Sequence, residues 1–517
     1  MEPKARKKWT LMFFFASDNN LTSSMLYQLK SIKTAGFQVD TNVLAHYDPN
    51  ERGVPSRIFE VNRREKENTN ETIIGDEEDP TVRDLAEDQI VPEVPDYRCL
   101  RDSDYDNQSA EEALTQFLDL ARTYYPADQY MLFLVGHGLI VGRDGFLPDE
   151  NPNSAISLVE LGTILHNLSR EIGKTGGVLE LIGMHSCSMS AVEVAYQLKG
   201  TASYMMGSEG FSYIGAWPYR RMLQKIFNAV ESTKVDVPDL LKNLHELCFH
   251  NSADVIFAGY SSDLCLISLD PQRVEALRAP IQGLTKALVA GLNNKRSRQL
   301  ILLAHWESQS YYQELYTDLY DFCLCLSNSC DGSDDVQNAM KLACGVVMEV
   351  LTPESDSATP GPIVQADFFG PDCQYSYGLT IYFPWTRPIE DACEHIIKNY
   401  QTYAFVTEIG RDSWLRFIEA YFDKTLRPKR DFPVSAEIPA DVEETLNAIT
   451  STYNPVAFPS SVPHFDSAVL RLGKVSPADA SGYGGCSVIK NYSRDFPITP
   501  RALRVFANAR QGKQRKK

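Results

Sequence analysis

The first part of the chain alternates between continuously apolar runs and longer amphipathic stretches. The run "WTLMFFFA" has the length of a strand and ends at a polar turn, and "LTSSMLYQLKSIKTAGF" after it has helical spacing up to Gly36. Two further apolar runs, "QYMLFLV" and "VLELIGM", each follow an amphipathic stretch. Strands that are apolar throughout and alternate with helices predict a mostly parallel sheet that is covered on both faces.

Helix-start signals support this interpretation. In "SAEEALTQFLDLARTYY" the pair Ser109 and Glu112 matches a capping box, and "SLVELGTILHNLSREIG" predicts the helix before the next strand. Two later apolar runs, "DLCLISLD" and "GLTIYFP", are separated by helical stretches. We therefore expect distant sequence to complete the sheet, with "GLTIYFP" as its late strand.

The length of 517 residues is more than one ordinary core holds and predicts several regions. Residues 1–265 are the predicted catalytic core, in which the acidic and polar segment 48–108 is a surface insertion. Residues 266–427 form a predicted helical region with the late strand. Residues 428–517 form a Pro- and Ser-rich extension that ends in a basic tail.

Charge and cysteine usage exclude some classes of protein. A net charge of −18 argues against general binding to nucleic acids or to anionic membranes. No stretch approaches the roughly 20 apolar residues of a membrane span, and the first apolar run is too short for a secretion signal. The 11 cysteines are scattered without a disulfide framework. We expect reduced thiols and a cytoplasmic location.

Two apolar runs end on reactive side chains. His137 follows the first between Gly136 and Gly138, and Cys187 follows the second. The carboxyl ends of parallel strands meet at one edge of a sheet, and neighbouring strands lie about 4.8 Å apart. The imidazole and the thiol are therefore expected to face one cleft, where the imidazole can activate the thiol as a nucleophile.

Backbone groups strengthen this hypothesis. Cys187 precedes the predicted helix "SMSAVEVAYQL", whose N-terminus favours a thiolate, and the N–H groups of Gly138 and Cys187 can form an oxyanion hole. Taken alone, a cysteine after a strand is usually an inert buried thiol, and Gly-His-Gly is usually a turn. Their conjunction favours a nucleophilic site. His46, at the end of another apolar run, is a candidate third group.

These residues lie within segments that resemble the clostripain family of cysteine peptidases, in the caspase–gingipain–legumain group. The resemblance covers roughly residues 8–425 and rests on segments in the family's order: "KWTLMFFFASDNNL", "LFLVGHG", "DENPNSAISLVELGTIL", "LIGMHSCSMSAVEVAYQL", "GSEGFSYIGAWPY" and "YGLTIYFP". It implies a caspase-like α/β/α sandwich with a mostly parallel central sheet, additional helical elements and a C-terminal extension. It also implies an intracellular cysteine endopeptidase.

The resemblance also implies roles. Cys187 attacks the scissile carbonyl, and His137 protonates the leaving amine and positions the attacking water. In this group the two side chains are often not in direct contact, so no third group is required. Substrates are proteins or peptides. No cofactor or metal is needed for the chemistry, and a structural calcium ion is allowed by the resemblance alone.

The chain departs from the family pattern at the specificity pocket. The family usually carries Asp two residues before the nucleophile, where this chain has His185, and no acid accompanies Trp217 in the pocket loop. A substrate guanidinium that enters an apolar pocket without a carboxylate partner loses several kcal/mol of binding free energy. A preference for Arg or Lys therefore needs another acid, for which Glu209 is the nearest candidate. The alternative is a pocket that prefers uncharged or acidic residues.

Family members are often activated by cleavage at a basic residue between the His and Cys segments. The candidates are Arg143, Arg170 and Lys174, and Lys174 in "GKTGG" is the most loop-like. An upstream protease or a regulatory partner is implied. Two other functions stay open: a catalytically silent caspase-like binding subunit, and the protease component of a bacterial regulatory or antiviral signalling assembly.

Overall fold

The computed structural model describes a large part of the chain, namely residues 3–33, 35–50, 56–61, 108–138, 146–150, 153–232, 235–251, 261–312, 314–353, 360–385 and 399–425. In chain order, strands β1 to β13 are Lys7–Phe15, Thr41–Tyr47, Arg57–Glu60, Ala127–Val135, Phe146–Glu150, Asn153–Ile156, Val178–His185, Tyr204–Gly207, Ser262–Ser268, Ser310–Tyr311, Tyr316–Asp318, Ile363–Phe369 and Thr380–Tyr382. Helices α1 to α13 are Thr22–Lys33, Ala110–Tyr124, Leu158–Lys174, Val192–Leu198, Tyr219–Val230, Val237–Asn251, Pro271–Glu275, Arg278–Asn293, Lys295–Glu307, Leu319–Ser329, Asp335–Leu351, Ala404–Thr407 and Trp414–Thr425.

An eight-stranded sheet in the order β12-β9-β8-β7-β4-β1-β2-β3 forms the centre of the fold. The five strands from β8 to β2 run parallel, whereas β3 pairs antiparallel with β2, β9 with β8, and β12 with β9. The prediction of an α/β fold with a mostly parallel sheet is confirmed.

Both faces of this sheet are buried. In β1, Met12 and Phe14 pack on one face against α2 and α3, whereas Phe13 and Phe15 pack on the other against α1 and α5. Phe13 stacks on Phe133 of the adjacent β4 with 4.7 Å between ring centroids. Because each face needs its own apolar side chains, these strands are apolar at consecutive positions, which is the pattern that predicted them.

Helix α2 begins at a pair of capping residues. The Ser109 side chain accepts a hydrogen bond from the Glu112 N–H, and the Glu112 carboxylate accepts one from the Ser109 N–H at 3.1 Å. This capping box satisfies two N–H groups that a helix start leaves without partners. The predicted start of α2 is therefore confirmed.

The strand that completes the sheet differs from the predicted one. β13, from "GLTIYFP", lies in a separate three-stranded sheet with β10 and β11, and β12 instead forms the edge of the large sheet. The side chains of β12 are mostly half-buried or exposed, and its sequence mixes polar with apolar residues. It therefore lacks the pattern of a buried strand. The domain boundary placed after residue 265 also falls inside β9.

The remaining predictions about organisation are met in part. Within the predicted insertion 48–108 the structure describes the short strand β3, and the predicted extension 428–517 lies outside the described residues. Of the helices described, none has the length and apolar content to cross a membrane. All eight cysteines in the described part are free thiols, and all but Cys325 are buried.

Candidate active site

The two reactive side chains lie at the ends of adjacent parallel strands. In the pairing of β4 with β7, Val135 lies opposite His185. The Gly136 N–H donates a hydrogen bond across the strand ends to the His185 carbonyl at 3.3 Å. His137 and Cys187 each follow two residues after this pair, so the fold brings them to one edge of the sheet, as the sequence predicted.

Gly138 brings the two strand-end segments into direct contact. A Cβ atom at this position would lie 2.2 Å from the Cys187 carbonyl oxygen and 3.0 Å from the Cys187 nitrogen. Only glycine permits this approach. Among the described residues, neither the Gly138 N–H nor the Cys187 N–H has a hydrogen-bond acceptor. Within the described part of the chain, two N–H groups without an acceptor therefore lie where the Gly138 and Cys187 backbones meet.

The turn that carries Cys187 is tightly held. Cys187 is buried, with its Sγ 3.8 Å from the Ser212 carbonyl oxygen. Ser188 has a φ of 57°, a left-handed conformation that costs a residue other than glycine about 1–3 kcal/mol. Its N–H donates to the Gly210 carbonyl at 2.9 Å. The turn thus stores strain next to the thiol, as functional turns often do.

The predicted helix-terminus effect on Cys187 is not supported. Helix α4 begins at Val192, after an extended Ala191, and not directly after Cys187. The charge effect of a helix terminus acts within its first turn. The N-terminus of α4 is therefore too far along the chain to favour a thiolate at Cys187.

Sequence analysis missed the hydrogen-bond partner of His137. Its Nε2 lies 2.7 Å from Oδ1 of Asn20, in the polar turn after β1. An amide oxygen only accepts, so Nε2 carries the proton and Nδ1 is the proton acceptor. Burial lowers the pKa of His137 to about 4, so the ring is neutral at neutral pH. The "SDNN" cluster at a strand end was the available signal.

Asn19 fixes the turn that presents Asn20. Its Nδ2 donates to the Ala16 carbonyl at 2.9 Å and to the Pro148 carbonyl at 3.0 Å, and its Oδ1 accepts from the Leu21 N–H. One buried amide therefore ties the end of β1 to β5, which follows His137 in the chain. Asn20 is held by this fixed backbone.

His46 is not part of this arrangement. It lies in β2, which β1 separates from β4, and its ring stacks on Phe14 with 4.5 Å between centroids. Burial lowers the pKa of His46 to about 3, and a contact with the Phe15 carbonyl opposes this only in part. The third group beside His137 is Asn20.

Comparison with known proteins decides the family. The clostripain family model matches residues 13–414. The chain belongs to the clostripain family. It is therefore a cysteine endopeptidase that acts on proteins or peptides.

The relatives are distant. The chain is 22% identical over 493 residues to clostripain of Hathewaya histolytica, which covers 81% of this chain and 88% of that protein. It is similar to an inactive zymogen C11 protease from Parabacteroides distasonis, with 18% identity, 79% of this chain and 99% of that chain covered, and a TM-score of 0.47. A secreted C11 cysteine protease from Bacteroides thetaiotaomicron, in complex with a peptide inhibitor, matches at 16% identity, with 80% and 99% covered and a TM-score of 0.46.

His185, at the position of the family's usual acid, is closed off from substrate. Its Nδ1 lies 2.6 Å from the Tyr219 hydroxyl, and its Nε2 donates to the Tyr213 carbonyl at 2.9 Å. The ring stacks on Trp217 at 4.8 Å, and burial lowers the pKa of His185 to about 4. Both nitrogens are occupied, so His185 fixes the pocket loop and does not support its predicted role in substrate binding.

Glu209 also faces the protein interior. Its Oε1 accepts a hydrogen bond from the Gly378 N–H at 2.5 Å. Burial, and then the charges of Asp318 and Asp263, raise the pKa of Glu209 well above its usual value. Burial raises the pKa of Asp318 to about 7. Glu209 is therefore the protonated partner of Asp318, and the prediction that it binds substrate is not supported.

A different acid lines the cavity next to the pocket loop. A cavity of about 10 Å³ borders Ser212, whose carbonyl faces the Cys187 thiol, and Trp217 and Asp263 also line it. The Asp263 carboxylate accepts hydrogen bonds from the N–H groups of Glu209, at 2.5 Å, and Gly210, at 3.1 Å. Asp263 comes from β9, far along the chain, and no motif near Cys187 indicated it.

The structure also places two of the predicted activation sites. Arg170 and Lys174 both belong to α3, and Lys174 pairs with Glu171 at 2.7 Å in its last turn. The prediction that Lys174 is loop-like is therefore wrong. Nicking concentrates at exposed loops, so a regular helix is a poor site for both. Arg143 lies outside the described residues.

The Glu209–Asp318 pair predicts a pH dependence of stability. Folding raises both pKa values, so the pair's contribution is full at about pH 4 and is lost as the pH rises through about 7. In Glu209→Gln the amide still accepts from Gly378 and cannot lose a proton. We expect its melting temperature to fall less between pH 5 and 8 than that of the wild type. The exposed Glu349→Gln is the control, and parallel curves for all three proteins would contradict the assignment.

Proposed function

We propose that the chain hydrolyses peptide bonds through a Cys187 nucleophile and His137 as general acid and base, with Asn20 as a positioning residue. The observation that carries this proposal is the contact of the Gly138 backbone with Cys187 at adjacent strand ends. This contact supports the proposal because it joins the segment that carries the imidazole to the turn that carries the thiol.

In the first half of the reaction the Cys187 Sγ attacks the scissile carbonyl carbon. His137, neutral with its proton on Nε2, accepts the thiol proton at Nδ1 and delivers it to the leaving amine. The thioester that forms is then attacked by a water molecule, whose proton passes to the same nitrogen. Expulsion of the thiolate releases the acid product and restores Cys187.

The negative charge on the carbonyl oxygen is stabilised by the backbone. The N–H groups of Gly138 and Cys187 are close together and have no acceptor among the described residues. Donors that are already oriented lose no reorganisation energy when the charge develops, and one such donor typically contributes ~2.7–4 kcal/mol. This supports their role as the oxyanion hole.

We propose a preference for Arg or Lys before the scissile bond, with Asp263 as the pocket acid. The support is its position in the cavity that begins at Ser212, opposite the Cys187 thiol. Its carboxylate accepts hydrogen bonds from the N–H groups of Glu209 and Gly210, and the Cys373 Sγ lies 4.0 Å from Oδ1. At about 10 Å³ the cavity is too small for a long side chain, so the pocket loop must open first.

The place of action and the activation step are also proposals. We propose a cytoplasmic peptidase, which the free thiols of the described cysteines support. We propose Arg143 as the activating cleavage site, because Arg170 and Lys174 belong to a helix. An upstream protease or a regulatory partner would make this cut.

The dyad is tested with Cys187→Ala and His137→Ala. We expect each variant to lose peptide cleavage completely and to keep the circular dichroism spectrum of the wild type, because each removes a reacting group and not a core side chain. Iodoacetamide with mass spectrometry should label Cys187 first. Near wild-type turnover by either variant contradicts the assignment, and a folded wild type that cuts no peptide in a library supports a silent binding subunit.

Asn20 is tested through the pH profile of kcat/KM. We expect Asn20→Ala to lower kcat about 10- to 100-fold, because the imidazole loses its orientation. In Asn20→Asp a carboxylate beside Nε2 stabilises the imidazolium, which raises the pKa of His137 by about 1–2 units. The acid limb should move to higher pH by that amount. Asn167→Asp, exposed on α3, is the control, and an unmoved limb in Asn20→Asp would falsify the role.

The specificity proposal is tested by digestion of a peptide library with Asp263→Asn. We expect cleavage after Arg and Lys to weaken by ~3–5 kcal/mol, or roughly 150- to 5,000-fold in kcat/KM, because a substrate cation loses its partner. Cleavage after uncharged residues should change less. Glu209→Gln is the matched control and should keep the Arg preference. If the wild type instead prefers uncharged residues, the proposal of a basic pocket is wrong. The proposal for Cys187 and His137 is then unaffected.

A further inference from the structure

One buried hydroxyl in the pocket loop has no partner within the described part of the chain. Ser212 is 7% exposed, and its Oγ is enclosed and makes no hydrogen bond to any described residue. Buried polar atoms are rarely left unsatisfied, and the exceptions need a physical reason. This hydroxyl therefore marks a place for a group that the described residues do not supply.

The pocket loop places Ser212 next to the nucleophile. The Gly210 carbonyl accepts a hydrogen bond from the Ser188 N–H at 2.9 Å, and the Ser212 carbonyl oxygen lies 3.8 Å from the Cys187 Sγ. Two alternate positions of the loop thus contact the turn that carries the thiol. When the thiol attacks a peptide bond, the residue before that bond begins beside Ser212.

The side chain of that substrate residue has the cavity at Ser212 as its nearest space. Asp263 and Trp217 also line this cavity, and its volume of about 10 Å³ is roughly that of one water-sized sphere. Ser212 contacts the thiol through its carbonyl and borders the cavity as well. A side chain that enters from the thiol, once the loop has opened, therefore meets Ser212.

A polar side chain in this cavity needs hydrogen-bond acceptors. A substrate cation carries only N–H donors, and it loses its water when it enters. Both oxygens of the Asp263 carboxylate already accept hydrogen bonds, from the N–H groups of Glu209 and Gly210. The Ser212 hydroxyl, which no described residue uses, is a further acceptor for an N–H group of the substrate.

We propose that the Ser212 hydroxyl accepts a hydrogen bond from the side chain of the substrate residue before the scissile bond, and that it determines specificity together with Asp263. Asp263 recognises the charge of that side chain, and Ser212 recognises its N–H group. This inference rests on the proposed attack by Cys187. It goes beyond a preference for Arg or Lys, because it includes uncharged side chains that carry an N–H group.

Three peptides that differ only in the residue before the scissile bond separate the two properties. Arginine has a charge and N–H groups, citrulline has N–H groups without the charge, and norleucine has neither. We expect Ser212→Ala to lower kcat/KM about 10-fold for arginine and for citrulline, because each loses one hydrogen bond, and to leave the value for norleucine unchanged. Ser212→Thr keeps a hydroxyl and should keep the preference of the wild type for citrulline over norleucine.

Thermal melts separate recognition from a role in folding. Loss of a hydroxyl that has no partner should not lower the melting temperature, whereas loss of one that holds the loop would lower it. Ser297→Ala is the matched control, because Ser297 in α9 is fully buried and its Oγ also has no partner among the described residues. It should melt no lower than the wild type and cleave all three peptides at the wild-type rate. Ser212→Gly repeats the test if Ser212→Ala does not fold.

An equal loss on all three peptides would overturn the proposal, and so would no loss on any, because the hydroxyl then binds only water inside the closed loop. A wild type that cleaves the citrulline and norleucine peptides equally well also overturns it, and the proposed function stands if Cys187→Ala cleaves neither. If Cys187→Ala cleaves like the wild type, the proposed function is wrong and the inference falls with it. The comparison of citrulline with norleucine involves no charge, so an error about Asp263 is seen separately, in the comparison of arginine with citrulline.

Discussion

The active site depends on one close approach, that of the Gly138 backbone to the backbone of Cys187. The parallel pairing of β4 with β7 sets Val135 opposite His185, so the next residues of both strands leave the sheet together. They can touch because residue 138 has no side chain, and a Cβ there would lie 2.2 Å from the Cys187 carbonyl oxygen. The proposed dyad and both proposed oxyanion donors depend on this contact.

The loops around this contact are fixed by buried polar side chains that bind backbone atoms. Asn19 joins the end of β1 to β5 through two hydrogen bonds, and Asp263 holds the N–H groups of Glu209 and Gly210. A buried polar group that loses its partner costs about 1–3 kcal/mol, so each of these loops has one strongly preferred conformation. The segments that carry His137 and Cys187 are thus positioned by neighbours that have no role in the proposed chemistry.

The need of buried polar groups for hydrogen-bond partners also explains why His185 and Glu209 are not available to a substrate. His185 satisfies both ring nitrogens within the protein, and Glu209 Oε1 accepts a hydrogen bond from the Gly378 N–H. Neither side chain can turn to a substrate without leaving a buried partner unsatisfied. The acid that lines the cavity at Ser212 comes instead from β9, on the other side of β8 from the strand that leads to Cys187.

Local pattern alone determined the strands β1, β4 and β7, the start of α2, and the placing of His137 and Cys187 at one edge. Each of these depends on residues close together in the chain, whose periodicity and capping chemistry act over one element. Tertiary structure decided what depends on distant contacts. It put β12 and not β13 at the sheet edge, brought Asn20 to His137, and enclosed His185 and Glu209. A side chain's type shows what it can bind, but only packing decides which partner reaches it.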